Sequence, residues 1–290
     1  MNRLFKTIHL LSLFIGIGFP VANAQEIICT LQNKALCEQK LEGIKGTAWQ
    51  AMATGEIAAK AGKLFMNTPY VANTLEINGS NEKLIVNLGE LDCTTFLENA
   101  IVLSRLVQKQ AFLFENFTKE LEHLRYRDGH LETYASRLHY FTEWIANNEV
   151  KGIIEDVTQK IGGAPYDKPI DFMSNHRKSY PALADDIYYA DIQKREEKLN
   201  QQKRYFIPQE KIESLEKNIE EGDLIAITTS IKGLDVSHVG LATWENNRLH
   251  LLHASSSLKK VVVSEKPLAD YILGNKTQSG IIVARLSEVQ

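Results

Sequence analysis

The run Leu91-Asp92-Cys93-Thr94-Thr95-Phe96 predicts the start of a long helix with a cysteine in its first turn. Asp92 is a favourable N-cap residue. Apolar side chains recur behind it at helical spacing, namely Phe96, Leu97, Ala100, Ile101, Leu103 and Leu106. Cys93 would then lie at the positive end of the helix dipole, where a thiolate is favoured. The stretch therefore predicts a buried helix that carries a reactive thiol.

The C-terminal part of the chain predicts an antiparallel sheet. Five short apolar segments with turns between them lie at 224–227, 238–242, 249–253, 260–263 and 281–286. Their close spacing favours antiparallel pairing. Helices first and a sheet last indicate an α+β class.

The interval from about 107 to 220 is mostly polar and reads as helical, most clearly at 133–147 and 183–202. A polar and aromatic loop at 162–181 separates these two helices, and connections of this length are often functional.

Upstream of Cys93, the pattern predicts a helix over 49–65. Two strands are predicted at 75–77 and 83–88, around an Asn78-Gly79 turn.

The N-terminus has the pattern of a secretory signal peptide. A basic start is followed by an apolar run over 8–19 and by Ala22-Asn23-Ala24. The apolar run is too short for a membrane span. Cleavage after Ala24 would leave 25–290, with Gln25 rather than a lipid-bearing cysteine at the new terminus. Residues 1–24 therefore predict export, to the periplasm or beyond.

Composition excludes several classes of protein. The formal net charge is −3 and no basic stripe is visible, so nucleic-acid binding is not expected. No stretch after the signal is long and apolar enough to span a membrane. Metal-ligand spacings, a P-loop and a dinucleotide fingerprint are absent from the sequence, so no cofactor is expected. We expect one monomeric domain over 25–290.

The cysteine count suggests one bridge and one free thiol. An exported chain that keeps Cys29, Cys37 and Cys93 has an odd number of cysteines. Cys29 and Cys37 are near neighbours in sequence and form the disulfide candidate, which leaves Cys93 free. In the alternative, all three cysteines are reduced and structural.

A cysteine nucleophile needs a base and a group that orients the base. His238 begins one predicted strand, and His250 and His253 lie on the next. These last two have opposite parity, so only one of them can face His238. The residues alone leave that choice open, and each histidine could equally be a surface or core residue.

Taken together, these fragments resemble the NlpC family of papain-like bacterial cell-wall hydrolases. In chain order they are Thr68-Pro69-Tyr70-Val71, Leu91-Asp92-Cys93-Thr94-Thr95-Phe96, Glu221-Gly222-Asp223-Leu224, Ser237-His238-Val239-Gly240-Leu241 and Leu252-His253-Ala254-Ser255. The resemblance covers roughly 62–106 and 221–286. It implies a papain-like core, with the nucleophile-bearing helix packed on the C-terminal sheet and a large helical insertion at about 107–220.

The departures point to one branch of that family. Thr94 and Thr95 stand where the usual family has Ser and then a nearby Gly, and the interval before His238 is long. In these respects the chain is similar to a branch once catalogued as a domain of unknown function, whose members are similar to N-acetylmuramoyl-L-alanine amidases. This resemblance implies cleavage between muramic acid and L-alanine in peptidoglycan fragments (muropeptides).

The resemblance also implies roles for particular residues. Cys93 would be the nucleophile, His238 the base and His253 the residue that orients the base. Substrate-binding candidates are Tyr70, Asp92, Thr94, Ser237, Asn175, His176 and Arg177. For Asp92 a plain helix-cap role is the competing interpretation, and for the last three a solvated loop is.

Three other functions stay open on the sequence. An endopeptidase that cuts the stem peptide after γ-D-glutamate would use the same catalytic residues. A peptidoglycan-binding protein without activity would keep the cleft but would not need all three of Cys93, His238 and His253. A structural exported protein would pair its cysteines.

Overall fold

A computed structural model describes residues 27–76 and 81–289 of the chain. The signal peptide predicted at 1–24 and the predicted Asn78-Gly79 turn lie outside the described residues. No helix in the described ranges is both long and apolar enough to cross a membrane.

The α-helices and the β-strands are interspersed along the chain. They are α1 Leu31–Ile44, α2 Thr54–Lys63, α3 Cys93–Lys109, α4 Phe114–Arg125, α5 Phe141–Val150, α6 Phe172–Asn175, α7 Asp186–Gln201, α8 Ile212–Leu215 and α9 Leu268–Leu273. The strands are β1 Ile27–Ile28, β2 Leu84–Ile85, β3 Ile154–Asp156, β4 Ala164–Pro165, β5 Tyr205–Pro208, β6 Leu224–Thr229, β7 Val236–Glu245, β8 Arg248–Ser255, β9 Lys260–Val263 and β10 Gln278–Leu286.

The main sheet is antiparallel, with strand order β4-β5-β10-β6-β7-β8-β9. β3 also pairs with β10. The five strands predicted from the C-terminal sequence are therefore confirmed as β6 to β10, and the chain has the mixed α+β architecture that was expected. Helix α3 packs against α2 on one side and against β7 and β8 on the other.

The segment from about 107 to 220 is less helical than predicted, because it also supplies β3, β4 and β5. These strands have only two to four residues each. Runs this short carry too little periodicity to be recognised in sequence. The segment thus extends the sheet beyond β10 and also covers the end of α3.

The helix predicted at 133–147 begins only at Phe141, because Tyr134–Ser136 form a short 3-10 helix and tertiary contacts hold Arg137 extended. Arg137 forms a backbone bridge with Tyr126, and its guanidinium binds Glu76 and Glu82 at 2.5 and 3.1 Å. In contrast, α7 confirms the helix predicted at 183–202.

Two other local predictions needed correction. The helix predicted at 49–65 starts at Thr54, whose N–H and hydroxyl bind the Glu288 carboxylate at 3.1 and 2.9 Å. Residues 75–76 form no strand, and Leu84–Ile85 pairs in parallel with Ile27–Ile28 instead of forming a hairpin.

A buried ion pair ties α3 to the inserted segment. The Arg125 guanidinium donates to Glu98 Oε2 at 2.7 Å and to the Ile85 carbonyl at 2.7 Å, and Trp144 Nε1 donates to Glu98 Oε1 at 3.2 Å. Both charged side chains are almost fully buried. Removing one partner would leave the other charge buried without compensation.

We therefore expect Glu98→Ala to lower the free energy of unfolding by about 3–5 kcal/mol. Urea unfolding of the variant and the wild type measures this difference. The double variant Glu98→Leu/Arg125→Met should lose less, because it leaves no unpaired charge. An exposed control, Glu90→Ala, should change stability by less than about 0.5 kcal/mol. An equally small effect of Glu98→Ala would contradict the role given to the pair.

Candidate active site

Cys93 is the first residue of α3, and the helix start is built as the sequence predicted. The Asp92 carboxylate accepts a hydrogen bond from the Thr95 N–H at 2.8 Å, and the Thr95 hydroxyl accepts one from the Asp92 N–H at 2.9 Å. This reciprocal capping box satisfies two N–H groups. It also shows the Asp92 carboxylate in the helix-cap role, while its substrate-binding role stays a prediction. In the described part of the chain, the Cys93 N–H has no acceptor.

The two histidines named from the sequence touch each other. His238 Nε2 lies 2.6 Å from His253 Nδ1, and the rings are nearly perpendicular at 88°. His250 Nδ1 is instead bound to the Ser264 carbonyl at 2.8 Å. The geometry therefore selects His253 as the partner of His238, a choice that the sequence pattern alone left open.

Gly240 explains how the two rings can meet. Strands β7 and β8 run so close together there that an added Cβ would lie 2.7 Å from the Leu252 carbonyl oxygen and 3.0 Å from the His253 Cβ. Any larger residue would push β8 away. The glycine of the His-Val-Gly run thus lets the His253 side chain lean over to His238.

Cys93 and His238 line one cavity of about 250 Å³, together with the predicted residues Thr94 and Ser237. The backbone of Val239 and the residue Thr94 lie near the sulfur and act to lower the pKa of the thiol. Because His238 Nε2 is engaged with His253, its Nδ1 is the nitrogen left to accept a proton from the thiol. The arrangement supplies a nucleophile, a base and a group that fixes the tautomer of the base.

The inserted segment supplies the opposite wall of this cavity, with residues that sequence reasoning missed. These include Arg137, His139, Tyr140, Phe141, Met173 and Tyr180. Met173 and Tyr180 lie in the loop that the sequence marked as functional. Arg137 and His139 gave no such signal, since they fall in a stretch that looked like an ordinary helix.

Asn175, His176 and Arg177 are not among the residues that line the cavity. The His176 ring stacks on Phe172 with ring centres 4.0 Å apart. The Arg177 guanidinium binds the Leu183 carbonyl and the Asp186 carboxylate, each at 2.6 Å. Asn175 is exposed at the end of α6. The structure therefore does not bring these three residues to the cavity of Cys93, and their contact with substrate stays a prediction, since local contacts hold the two larger side chains within their own segment.

Tyr70 lies close to the nucleophile but outside the cavity wall. Its N–H donates to the Lys259 carbonyl at 2.9 Å, and its backbone bridges to Leu91, two residues before Cys93. Burial, and then the neighbouring Cys93 and Asp92, raise the pKa of its hydroxyl. The hydroxyl therefore stays protonated and can donate a hydrogen bond.

The disulfide predicted between Cys29 and Cys37 is not formed, since both are free thiols in this structure. Cys29 Sγ donates to the Thr30 carbonyl at 3.5 Å, while Cys37 points into the hydrophobic core from α1. Cys93 is also a free thiol, as expected.

Burial sets the charge state of the site. It raises the pKa of the Cys93 thiol to about 12, despite the opposing hydrogen bonds from Val239 and Thr94. It lowers the pKa of His238 from 6.5 to about 4 and that of His253 to about 3. The resting site is thus a neutral thiol beside two neutral imidazoles. The thiolate expected from the helix dipole is not the resting form, so the proton must move as attack begins.

These shifts predict a loss of stability in mild acid. Below pH 6.5 the unfolded chain protonates His238 and His253, whereas the folded chain resists until about pH 4 and about pH 3. The free energy of unfolding should therefore fall with decreasing pH, by up to about 1.4 kcal/mol per pH unit for each histidine. Urea unfolding between pH 7 and pH 4 measures the slope. A His238→Asn/His253→Asn variant should show a shallower slope, and an unchanged slope would contradict these pKa values.

In the described part of the chain, no group of three or more His, Cys, Asp or Glu side chains could hold a metal ion.

A family model and solved structures of similar sequence show which family the chain belongs to. Residues 60–281 match the AmiA-like family, described as N-acetylmuramoyl-L-alanine amidase-like. A crystal structure of an N-acetylmuramoyl-L-alanine amidase from Bacteroides uniformis ATCC 8492 is 38% identical with a TM-score of 0.76, over 81% of this chain and 99% of that chain. A second such structure from that strain is 37% identical with the same TM-score and coverage.

A more distant solved structure shares the fold. A Legionella pneumophila protein is 22% identical with a TM-score of 0.65, over 88% of this chain and 95% of that chain. None of the curated proteins compared matches the chain. The matched range includes Cys93, His238 and His253, and the chain belongs to the N-acetylmuramoyl-L-alanine amidase-like family.

Proposed function

We propose that this protein is an exported cysteine amidase that hydrolyses the bond between N-acetylmuramic acid and L-alanine in muropeptides. The observation that carries the proposal is the 2.6 Å contact between His238 Nε2 and His253 Nδ1, beside a cysteine at the start of a helix. Membership of the amidase-like family supports the choice of bond. The order of Cys93, His238 and His253 supports descent from papain-like enzymes of the NlpC type.

Attack begins with a proton transfer. His238 Nδ1 takes the proton of the Cys93 thiol while Sγ forms a bond to the carbonyl carbon of the amide. Because the thiol pKa is about 12, this transfer and the attack are expected to be concerted. The Cys93 N–H, which has no acceptor in the described part of the chain, is placed to donate to the developing oxyanion.

The intermediate then collapses and the peptide leaves. The C–N bond breaks, and the His238 imidazolium gives its proton to the amine of L-alanine. The lactyl carbonyl remains on Cys93 as a thioester. Water attacks the thioester after giving a proton to His238, and the proton returns to the sulfur as the lactyl acid is released. His253 keeps the His238 ring oriented throughout.

Product analysis by mass spectrometry tests this reaction. The protein, reduced and freed of residues 1–24, is incubated with a defined muropeptide in H₂¹⁸O. The proposal expects a free peptide that begins with L-alanine, and one ¹⁸O atom in the lactyl carboxylate of the sugar product. A cut within the stem peptide would replace the amidase with an endopeptidase. No cleavage of any muropeptide would refute both.

Export is the second part of the proposal. It rests on the pattern at 1–24, in which a basic start is followed by an apolar run and by Ala22-Asn23-Ala24. Export would bring the enzyme to the periplasm or outside the cell. Intact-mass measurement of protein from a cell envelope fraction should find Gln25 at the N-terminus. Full-length protein in the cytosolic fraction would contradict it.

A further inference from the structure

A histidine that orients another histidine can do so in two tautomeric forms. Each neutral imidazole carries one N–H and one bare nitrogen, and the 2.6 Å contact joins His238 Nε2 to His253 Nδ1. In the first form His238 donates, so its Nδ1 is bare and His253 carries its own proton on Nε2. In the second form His253 donates, and His238 Nδ1 carries a proton. Only the first form leaves His238 able to take the proton of the Cys93 thiol.

The contact between the two histidines does not by itself choose between these forms. A carboxylate or a carbonyl would fix the choice because it can only accept, whereas an imidazole nitrogen can donate or accept. The choice therefore depends on the surroundings of His253 Nε2, which has no hydrogen-bond partner in the described part of the chain. Since His253 is only 2% exposed, its protein neighbours have more influence on this choice than bulk water does.

The hydroxyl groups near His253 are engaged elsewhere. Ser255, Ser257 and Ser264 share a cavity wall with its ring. Ser264 Oγ accepts from the Leu251 N–H at 3.0 Å, and the Oγ atoms of Ser255 and Ser257 lie 3.0 Å from each other. These hydroxyl groups therefore do not select the tautomer of His253.

The neighbour that remains is the aromatic ring of Tyr271, on helix α9. The centres of the His253 and Tyr271 rings are 5.6 Å apart and their planes meet at 74°, which is an edge-to-face arrangement. Helix α9 packs against β8, the strand that carries His253, and it is anchored there by the buried side chains of Leu268 and Ile272. The Tyr271 hydroxyl makes no hydrogen bond within the described residues, so the recorded contact with His253 is made by the ring.

We propose that Tyr271 is a positioning residue, whose ring selects the tautomer of His253 that carries the proton on Nε2. The inference rests on the proposed function, in which His238 takes the thiol proton. The face of an aromatic ring is electron-rich, so it attracts an N–H and repels a nitrogen lone pair. An Nε2–H directed at the face of Tyr271 makes His253 Nδ1 the acceptor, and His238 Nδ1 is then free to act as the base.

Imidazole ¹⁵N NMR at neutral pH tests the tautomer directly, because both histidines are uncharged there. The histidine rings are labelled with ¹⁵N, and the His253 signals are assigned by comparison with His253→Asn. The proposal expects the proton on Nε2 in the wild type and in Tyr271→Phe, and a mixture of both forms in Tyr271→Leu. A wild-type proton on Nδ1, or an unchanged tautomer in Tyr271→Leu, would overturn it.

Steady-state kinetics with a muropeptide gives the second readout. Tyr271→Leu is expected to lower kcat about 3- to 10-fold and to leave KM within about twofold, because fewer molecules hold His238 in the form that acts as base. Tyr271 does not line the cavity of Cys93, so substrate binding should be unaffected. Tyr271→Phe keeps the ring and should restore kcat to within about twofold of the wild type. Leu273→Ala, at an exposed position of the same helix, controls for a disturbance of α9 and should change neither constant.

Equal losses in Tyr271→Phe and Tyr271→Leu would assign the effect to the hydroxyl and overturn the role of the ring. A wild-type protein that cleaves no muropeptide would instead refute the proposed function, while the NMR measurement needs no turnover and still decides the tautomer. Thermal unfolding shows whether Tyr271→Leu is folded. If it is not, Tyr271→Met, which keeps more of the side-chain volume, replaces it in both experiments.

Discussion

Replacing Cys93 by alanine should lower kcat for muropeptide cleavage by at least about 10⁴-fold, in line with losses seen when a catalytic nucleophile is removed. In the proposed reaction Cys93, which lines one cavity with His238, forms the bond to the amide carbon while His238 takes its proton. Without it, only binding and the helix-end N–H groups remain. Product formation followed by liquid chromatography and mass spectrometry measures the loss.

A matched cysteine serves as the control for that variant. Cys29 is a partly buried free thiol next to α1, and Cys29→Ser should keep activity within about twofold. Thermal unfolding should show that the Cys93→Ala protein is folded, because removing one sulfur from a cavity wall costs little packing. A Cys93→Ala protein that kept a tenth of wild-type activity would refute the assignment of the nucleophile.

The second large effect is expected for His238→Ala, with a loss in kcat of about 10³- to 10⁴-fold. The resting thiol has a pKa of about 12, so almost no thiolate exists at neutral pH unless a neighbouring base takes the proton. Activity of the variant should therefore rise with pH, by about tenfold per unit, because hydroxide then supplies the thiolate. The wild type should not show this slope near neutral pH, since its base has a pKa of about 4.

Two other histidines calibrate this result. His253→Ala should cost about 10²-fold, since it orients the base without contacting the reacting atoms. His176→Ala should change kcat by less than about twofold, because that exposed ring stacks on Phe172 and does not line the cavity. A loss in His176→Ala as large as that in His238→Ala would show that the base has been misplaced.

The sequence predicted the parts of the fold that follow from regular periodicity. The five strands β6 to β10 and helix α3 all have enough residues for their apolar patterns to be recognised. It missed β3, β4 and β5, which are short and are stabilised by neighbours distant in the chain. It also began a helix at 133, whereas α5 begins at Phe141, because the contacts of Arg137 with Glu76 and Glu82 override local preference.

In the candidate active site, too, features set by local sequence could be predicted and features set by distant contacts could not. Cys93 could be singled out because it begins a predicted helix, and His238 because it begins a predicted strand. The structure brings both residues to one cavity. His253 could be chosen over His250 only through a resemblance, because its partner lies on another strand. The wall formed by Arg137, His139 and Tyr180 could not be predicted, since it depends on how the inserted segment folds back over α3.

The pKa of the Cys93 thiol differs from the sequence-based expectation for a comparable reason. The helix position of Cys93 is visible in sequence, and it favours the thiolate. Burial of the sulfur beneath the inserted segment and the sheet cannot be read from the sequence. This burial raises the thiol pKa, and its effect is larger than that of the groups that lower it.

The position of β10 has a consequence for the newly synthesised protein. This strand follows all the others in sequence, yet it lies inside the sheet, between β5 and β6, with β3 also paired to it. A nascent chain that has not yet reached 278 already contains the nucleophile and both histidines, but β3 and β5 have no strand to join. The wall that they help to anchor cannot close. We therefore expect the cleft to be completed only once the last strand has joined the sheet.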